Sequence, residues 1–330
     1  MNERIKYLDY MKFIGVCCLF LAHVQGPFIL EEIRGFDVPM MVLISGFLAT
    51  TSITKTSSTF EYLKKRIKRL VIPSWIFLLL FYAAMLIIGQ KPQVMNVVKS
   101  LFFQRDCGLA GGVWIIWVYL ICAVCAPILY KYTSKKWFLP VSFAVLVIYE
   151  LVIYIMPSLV NNRFFYYTVC NIIPYGVLLS IGLLIPSMSC KTKQIMFWGA
   201  GLVHLLLGIL YLGVSGTYLP ISQFKYPPQV YYLSYGLAIT ILIMELLKNI
   251  EQRLPDLSVI RFVSSHSLWI YLWQIMMLTI VNYVIKISDY WVLSWLFLMF
   301  GSLLVTWIQD RIIGFLSKKT NWSVWNYFKG

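Results

Sequence analysis

The stretch "LDYMKFIGVCCLFLAHV" carries three strongly polar residues, Asp9, Lys12 and His23, in an otherwise mostly apolar run. Imidazole takes and returns a proton near neutral pH, and in an apolar run it loses hydration unless it has a partner or a task. On an α-helix, eleven residues bring Lys12 to within about 20° of His23 and about 16 Å from it along the axis. Asp9 falls on the same face. One stripe then holds a cation at one end and a base at the other. Such a base could take a proton from a hydroxyl or attack an acyl group as a nucleophile. The alternative makes Asp9 and Lys12 interfacial residues and His23 a hydrogen-bonded packing residue.

Two further stretches have the same character. In "RGFDVPMMVLISGFLAT", Asp37 stands where a second apolar run begins, a short loop after His23. A carboxylate there could hold the imidazole in one tautomer and stabilise its protonated form. Ser45 and Gly46 are small enough for close helix packing, and packing is the expected role of Ser45. In "YLKKRIKRLVIPSW", Lys64, Lys65, Arg66, Lys68 and Arg69 form a basic cluster before Pro73. Arg66 and Arg69, three apart on a helix, could jointly grip a phosphate; a plain topology anchor is the competing reading.

These groups sit in a chain built for lipid. Of 330 residues, 60% are hydrophobic and 12% are charged, with a mean hydropathy of +0.77. The charged share is about half that of a soluble domain. A spanning helix needs about 20 apolar residues, and runs of that kind lie near 8–28, 37–54, 70–88, 112–131, 137–156, 164–185, 194–213, 231–247, 260–285 and 291–313. The expected fold is an all-α polytopic membrane protein of about ten helices, a single integral-membrane domain over residues 1–330. The first run follows Arg4 and Lys6 as a signal peptide would, yet it has no small-residue cleavage site and is expected to be retained.

The net charge of +15 could suggest nucleic acid, but its distribution argues for the bilayer. With the N-terminus inside, and Lys12 set aside, the inner segments carry 20 Lys and Arg and the outer loops 7. That asymmetry predicts both termini in the cytoplasm and no nucleic-acid partner. Five of the seven cysteines (Cys17, Cys18, Cys122, Cys125, Cys170) fall inside apolar runs and read as small apolar residues. Glu150, His204, Glu245, His266 and Gln274 are further polar groups within such runs, and spacing assigns none of them a role. The longest outer segments, 89–111 and 214–230, are where sugar contacts are expected.

The three polar stretches resemble, in order and flanks, the membrane acyltransferase 3 family, whose members O-acetylate surface polysaccharides and related acceptors. "LDYMKFIGVCCLFLAHV" resembles its first-span signature, "GFDVPMMVLISGFL" its G-x-D-x-F-F-x-x-S-G stretch, and "RIKRLVIPSW" its R-x-x-R-L-x-x-P element. "GGVWIIWVYLICAVCAPIL", "FKYPPQVYYLSYGL" and "SSHSLWIYLWQ" resemble its fourth span, its Tyr-Pro-Pro element and its late S-x-x-I-Y-L segment. Two positions depart from the family: Lys12 stands where arginine is common, and Gln274 where histidine often ends the late motif. Lysine keeps the charge but loses the bidentate fork.

The resemblance implies acetyl transfer from cytoplasmic acetyl-CoA to a hydroxyl of a surface polysaccharide or lipid-linked saccharide, at the cell membrane and without a metal. His23 would be general base or acyl carrier, Asp37 its orienter, and Lys12, Arg66 and Arg69 the donor-binding cations. A transporter of a lipid-linked glycan is the alternative function; it lacks the inverted repeats such proteins carry.

Overall fold

The structure is a computed structural model that describes residues 4–320 and 322–328. Among these residues the chain forms no β-strand and thirteen α-helices. They are α1 (Lys6–Leu21), α2 (Phe28–Ile33), α3 (Asp37–Thr54), α4 (Thr59–Ile87), α5 (Val94–Leu101), α6 (Trp114–Tyr130) and α7 (Phe138–Ile155). α8 (Arg163–Tyr167), α9 (Val169–Leu184), α10 (Cys190–Ser215), α11 (Val230–Asn249), α12 (Ser258–Ile280) and α13 (Trp291–Thr320) follow. Nine segments among the described residues are long and apolar enough to cross a bilayer. The protein is an all-α polytopic membrane protein.

Two elements differ from the sequence expectation. The run 8–28 forms a helix of only 16 residues, α1. At 1.5 Å per residue it reaches about 24 Å, short of a hydrocarbon core of about 30 Å. The sequence Gln25-Gly26-Pro27 cannot continue a helix, and the amide of His23 already bonds to Phe20 in a tightened last turn, 3.1 Å. The third run starts earlier than residue 70. α4 begins at Thr59, so the basic cluster is helical and Pro73 lies inside the helix. Pro73 has no N–H for the Arg69 carbonyl, while the Ser74 hydroxyl donates to the Leu70 carbonyl at 2.7 Å.

The chain divides into two compact units. The first comprises Met1–Met11, Phe28–Tyr62 and Ile121–Pro255. Its centre is α3 packed on α9, with α11 against α3 and α10 against α11. The helices approach closely because small residues face each other. A Cβ on Gly46 would stand 2.7 Å from the Leu179 carbonyl oxygen, and one on Gly182 would strike the Leu43 carbonyl. Gly236 of α11 likewise faces the ring of Pro39. Ser45 spends its hydroxyl on the Met41 carbonyl of its own helix, 2.8 Å away.

The second unit comprises Lys12–Pro27, Leu63–Leu120 and Asp256–Gly330. α12 packs on α13 and on the 3-10 segment Gly108–Val113. The Tyr271 hydroxyl donates to the Gly112 carbonyl, and Trp273 Nε1 donates to Gln309 at 2.7 Å. Trp269 stacks on Phe328 with ring centroids 5.8 Å apart, which seats the chain after α13 against α12. The segment 89–111 contains α5, whose Val94, Met95 and Val98 are exposed. That apolar face suits a helix lying in the headgroup region.

The Gly46–Gly182 contact generates a stability prediction. Gly46→Ala forces α3 and α9 apart, and overpacking of this kind costs about 1–3 kcal/mol. Thermal unfolding of the purified protein in detergent should show the loss, with Ser45→Ala nearly neutral. Equal midpoints for Gly46→Ala and wild type would mean the helices do not meet there.

Candidate functional site

His23 lies in the turn just after α1 and is partly buried. Its Nδ1 is 2.9 Å from the Leu19 carbonyl oxygen. A carbonyl can only accept, so in this bond Nδ1 carries the hydrogen, and a neutral ring then has its lone pair on Nε2. The end of α1 is fixed within its unit by Trp295, whose Nε1 donates to the Cys17 carbonyl at 3.2 Å. A positive charge developing on the imidazole also meets the carbonyl end of α1, where the helix dipole favours it. Ring orientation and tautomer are therefore set by backbone.

Lys12 is partly buried on α1, two turns and more before that end. On α4, Arg66 is partly buried and Arg69 exposed, three residues apart and so on one side of the helix. Lys12, His23, Arg66 and Arg69 all belong to the second unit.

Asp37 belongs to the first unit. It is the first residue of α3 and is fully buried. Arg34 Nη1 donates to Oδ2 at 3.2 Å, Lys225 Nζ to Oδ1 at 3.3 Å, and the Val38 amide to Oδ1 at 2.7 Å. Lys225 comes from the segment between α10 and α11, where Ile221–Phe224 form a 3-10 turn and a Lys225–Pro228 bridge closes the loop. Its ammonium sits 5.7 Å from the ring centre of Tyr226 and 5.9 Å from that of Tyr232. The same segment is pinned a second time. Glu32 accepts from the Tyr218 hydroxyl at 2.5 Å and from the Ile221 amide at 2.9 Å. Burial of the hydroxyl and the adjacent carboxylate push the Tyr218 phenol above its usual range, which keeps it a donor.

Sequence reasoning missed Arg34, Lys225 and the tyrosines around them. Lys225 stands directly before the Tyr-Pro-Pro element, a signal that could have drawn attention to it, but its partner is 188 residues away. Four of the five other polar groups noted in the apolar runs have structural partners. Glu150 accepts from the Val230 amide at the start of α11, 3.1 Å away. Lys193 and Glu245 form a 2.9 Å ion pair, and His204 Nδ1 meets the Tyr231 carbonyl at 3.0 Å. His266 Nε2 is 3.3 Å from Asp310. Gln274 is fully buried, with neither amide atom hydrogen-bonded.

An acyltransferase-domain profile, that of the acyltransferase 3 family, matches residues 5–310. The chain belongs to the acyltransferase 3 family. No match was found among curated proteins or among solved structures. Membership makes the protein a membrane acyltransferase, and the matched stretch includes every site residue named above. In this acyltransferase the buried Gln274 is a neutral amide that cannot exchange a proton near pH 7.

The Asp37 geometry gives a second prediction. Asp37→Ala leaves Arg34 and Lys225 without their shared carboxylate and should cost about 3–5 kcal/mol, as breaking a buried pair does. Lys225→Met should cost less, because Arg34 still neutralises Asp37. Unfolding curves of the two variants decide the order; the reverse order would remove Arg34 as the main counter-ion.

Proposed function

We propose that this membrane acyltransferase moves an acetyl group from cytoplasmic acetyl-CoA to a hydroxyl of a surface polysaccharide or lipid-linked saccharide. The plasma membrane is its proposed location, with both termini cytoplasmic. The observation that carries the reading is His23. Its Nδ1 bonds to Leu19, so Nε2 is the atom with a lone pair to offer.

The proposed step runs as follows. His23 Nε2 accepts the proton of the acceptor hydroxyl as that oxygen attacks the thioester carbonyl. The C–S bond breaks, the acetyl group passes to the oxygen, and the coenzyme A thiolate leaves and takes up a proton. The polyanionic donor needs cations, and Arg66, Arg69 and Lys12 supply them. Guanidinium groups match phosphate oxygens in pairs, whereas Lys12 offers a point charge. We assign Asp37 to the same step, on the acceptor side.

His23→Ala should lower transfer about 10²–10⁴-fold while leaving the fold intact, the usual cost of losing a positioned general base. Combining it with Asp37→Asn tests their shared role. Groups serving one step give a double-variant loss similar to either single loss, whereas independent groups give losses that multiply. Near wild-type transfer by folded His23→Ala protein would sink the mechanism.

Donor binding is tested separately. Replacing Arg66 and Arg69 together with Gln should weaken acetyl-CoA affinity, each charge-assisted hydrogen bond being worth about 1.5–3 kcal/mol. Calorimetric titration in nanodiscs measures it. Unchanged affinity would return the two arginines to a topology role.

A further inference from the structure

The first unit contains a buried polar cluster whose inventory does not balance. Arg34 and Lys225 both bind Asp37, and these three side chains are 12%, 11% and 1% exposed. Two cations therefore share one carboxylate. The neighbouring acids are used elsewhere, Glu32 by Tyr218 and the Ile221 amide and Glu150 by the Val230 amide. Those two acids bond to neutral groups and form no ion pair with Arg34 or Lys225, so Asp37 is the one carboxylate that either cation touches.

Three donors in the same place also lack partners. Arg34 Nε and the hydroxyls of Tyr175 and Tyr232 are buried without a hydrogen bond. Both tyrosines are fully buried. They belong together, since Tyr232 interacts electrostatically with Tyr175, Asp37, Tyr226 and Arg34, and Tyr175 with Tyr226 and Asp37. Buried donors are nearly always satisfied, by protein, water or ligand. Here the orphans come from Arg34 just before α3, Tyr175 on α9 and Tyr232 on α11, with Lys225 from the loop before α11.

We propose that Arg34, Lys225, Tyr175 and Tyr232 form a binding site for an oxyanion group, a carboxylate or a phosphate, carried by the acceptor. The chemistry of the orphans selects the ligand. Arg34 Nε can only donate, and a phenol donates readily to an anionic oxygen. A neutral sugar hydroxyl could satisfy the donors but would give the two cations no second anionic partner, and a cation would be repelled. An oxyanion meets both needs, with Asp37 holding the two cations in place. The proposal deepens the acyltransferase reading by naming an acidic acceptor, a uronic-acid or phosphate-bearing saccharide, and it rests on that reading for the word acceptor alone.

The test uses the full chain in nanodiscs and three probes: methyl β-glucuronide, its methyl ester, and glycerol 1-phosphate. Calorimetric titration and the shift in unfolding temperature are read for wild type, Tyr175→Phe and Tyr232→Phe. The proposal expects the glucuronide or the phosphate to bind and the ester not to, and whichever anion binds names the source. Each Tyr→Phe change removes only an orphan oxygen, so stability without ligand should be kept while anion affinity falls about tenfold or more. Absence of binding by either anion overturns the proposal. So does anion binding that is equal in wild type and both Phe variants, since the hydroxyls would then be satisfied by water. Acetyl-CoA turnover is followed in parallel: turnover with a neutral acceptor and no anion binding sinks this inference alone, whereas no turnover with any acceptor sinks the function.

Discussion

A charge buried in an apolar medium must be matched within a few ångströms or not exist, and in the first unit that rule decides where the chain goes. Asp37 opens α3 with no solvent exposure, so its position depends on Arg34 and Lys225. Lys225 in turn ties the segment between α10 and α11 to the start of α3. Glu32 makes the same connection through Tyr218 and the Ile221 amide, and Glu150 holds the first amide of α11. Each acid therefore fixes a backbone or a cation from a distant stretch. A loop of this length would otherwise gain entropy by leaving the surface, and these bonds oppose that.

Such pairing works only if the helices come close, and close approach is a matter of missing side chains. Gly46 and Gly182 let the backbones of α3 and α9 touch, and Gly236 admits Pro39. With little hydrophobic force between helices in lipid, packing and interhelical bonds supply the association. Because α3, α9 and α11 meet in this way, Asp37, Tyr175 and Tyr232 arrive at one place. A bulkier residue at the glycine contacts would separate the polar groups as well as the helices.

Hydropathy made nine of the spanning segments legible, because lipid requires a long apolar run and nothing shorter serves. The ends were less legible. The run 8–28 is apolar throughout, yet the helix stops at Leu21, since Gly26 and Pro27 act on backbone geometry that hydropathy does not register. The third run was expected to begin near residue 70, yet α4 begins at Thr59 and holds Pro73 inside it, the missing donor tolerated by the helix around it. Of the candidate site, His23, Asp37 and the Arg66–Arg69 pair were proposed from local spacing and resemblance. Lys225 could not, because an ion pair across 188 residues leaves no periodic trace. Tyr175 and Tyr232 read as ordinary aromatics of apolar helices until their hydroxyls were seen to be buried without partners.

The acceptor that the structure gives His23 Nδ1 is a main-chain carbonyl and not a carboxylate. The difference has chemical content. A carboxylate partner would add a full negative charge beside the ring and strongly favour the imidazolium. The Leu19 carbonyl fixes Nδ1–H just as firmly but contributes only a partial charge, shared with the helix end. A neutral ring held this way has its basic nitrogen at Nε2, the atom that a general base uses. Since this partner is four residues back on the same chain, the Nδ1 bond is made within α1 and its last turn.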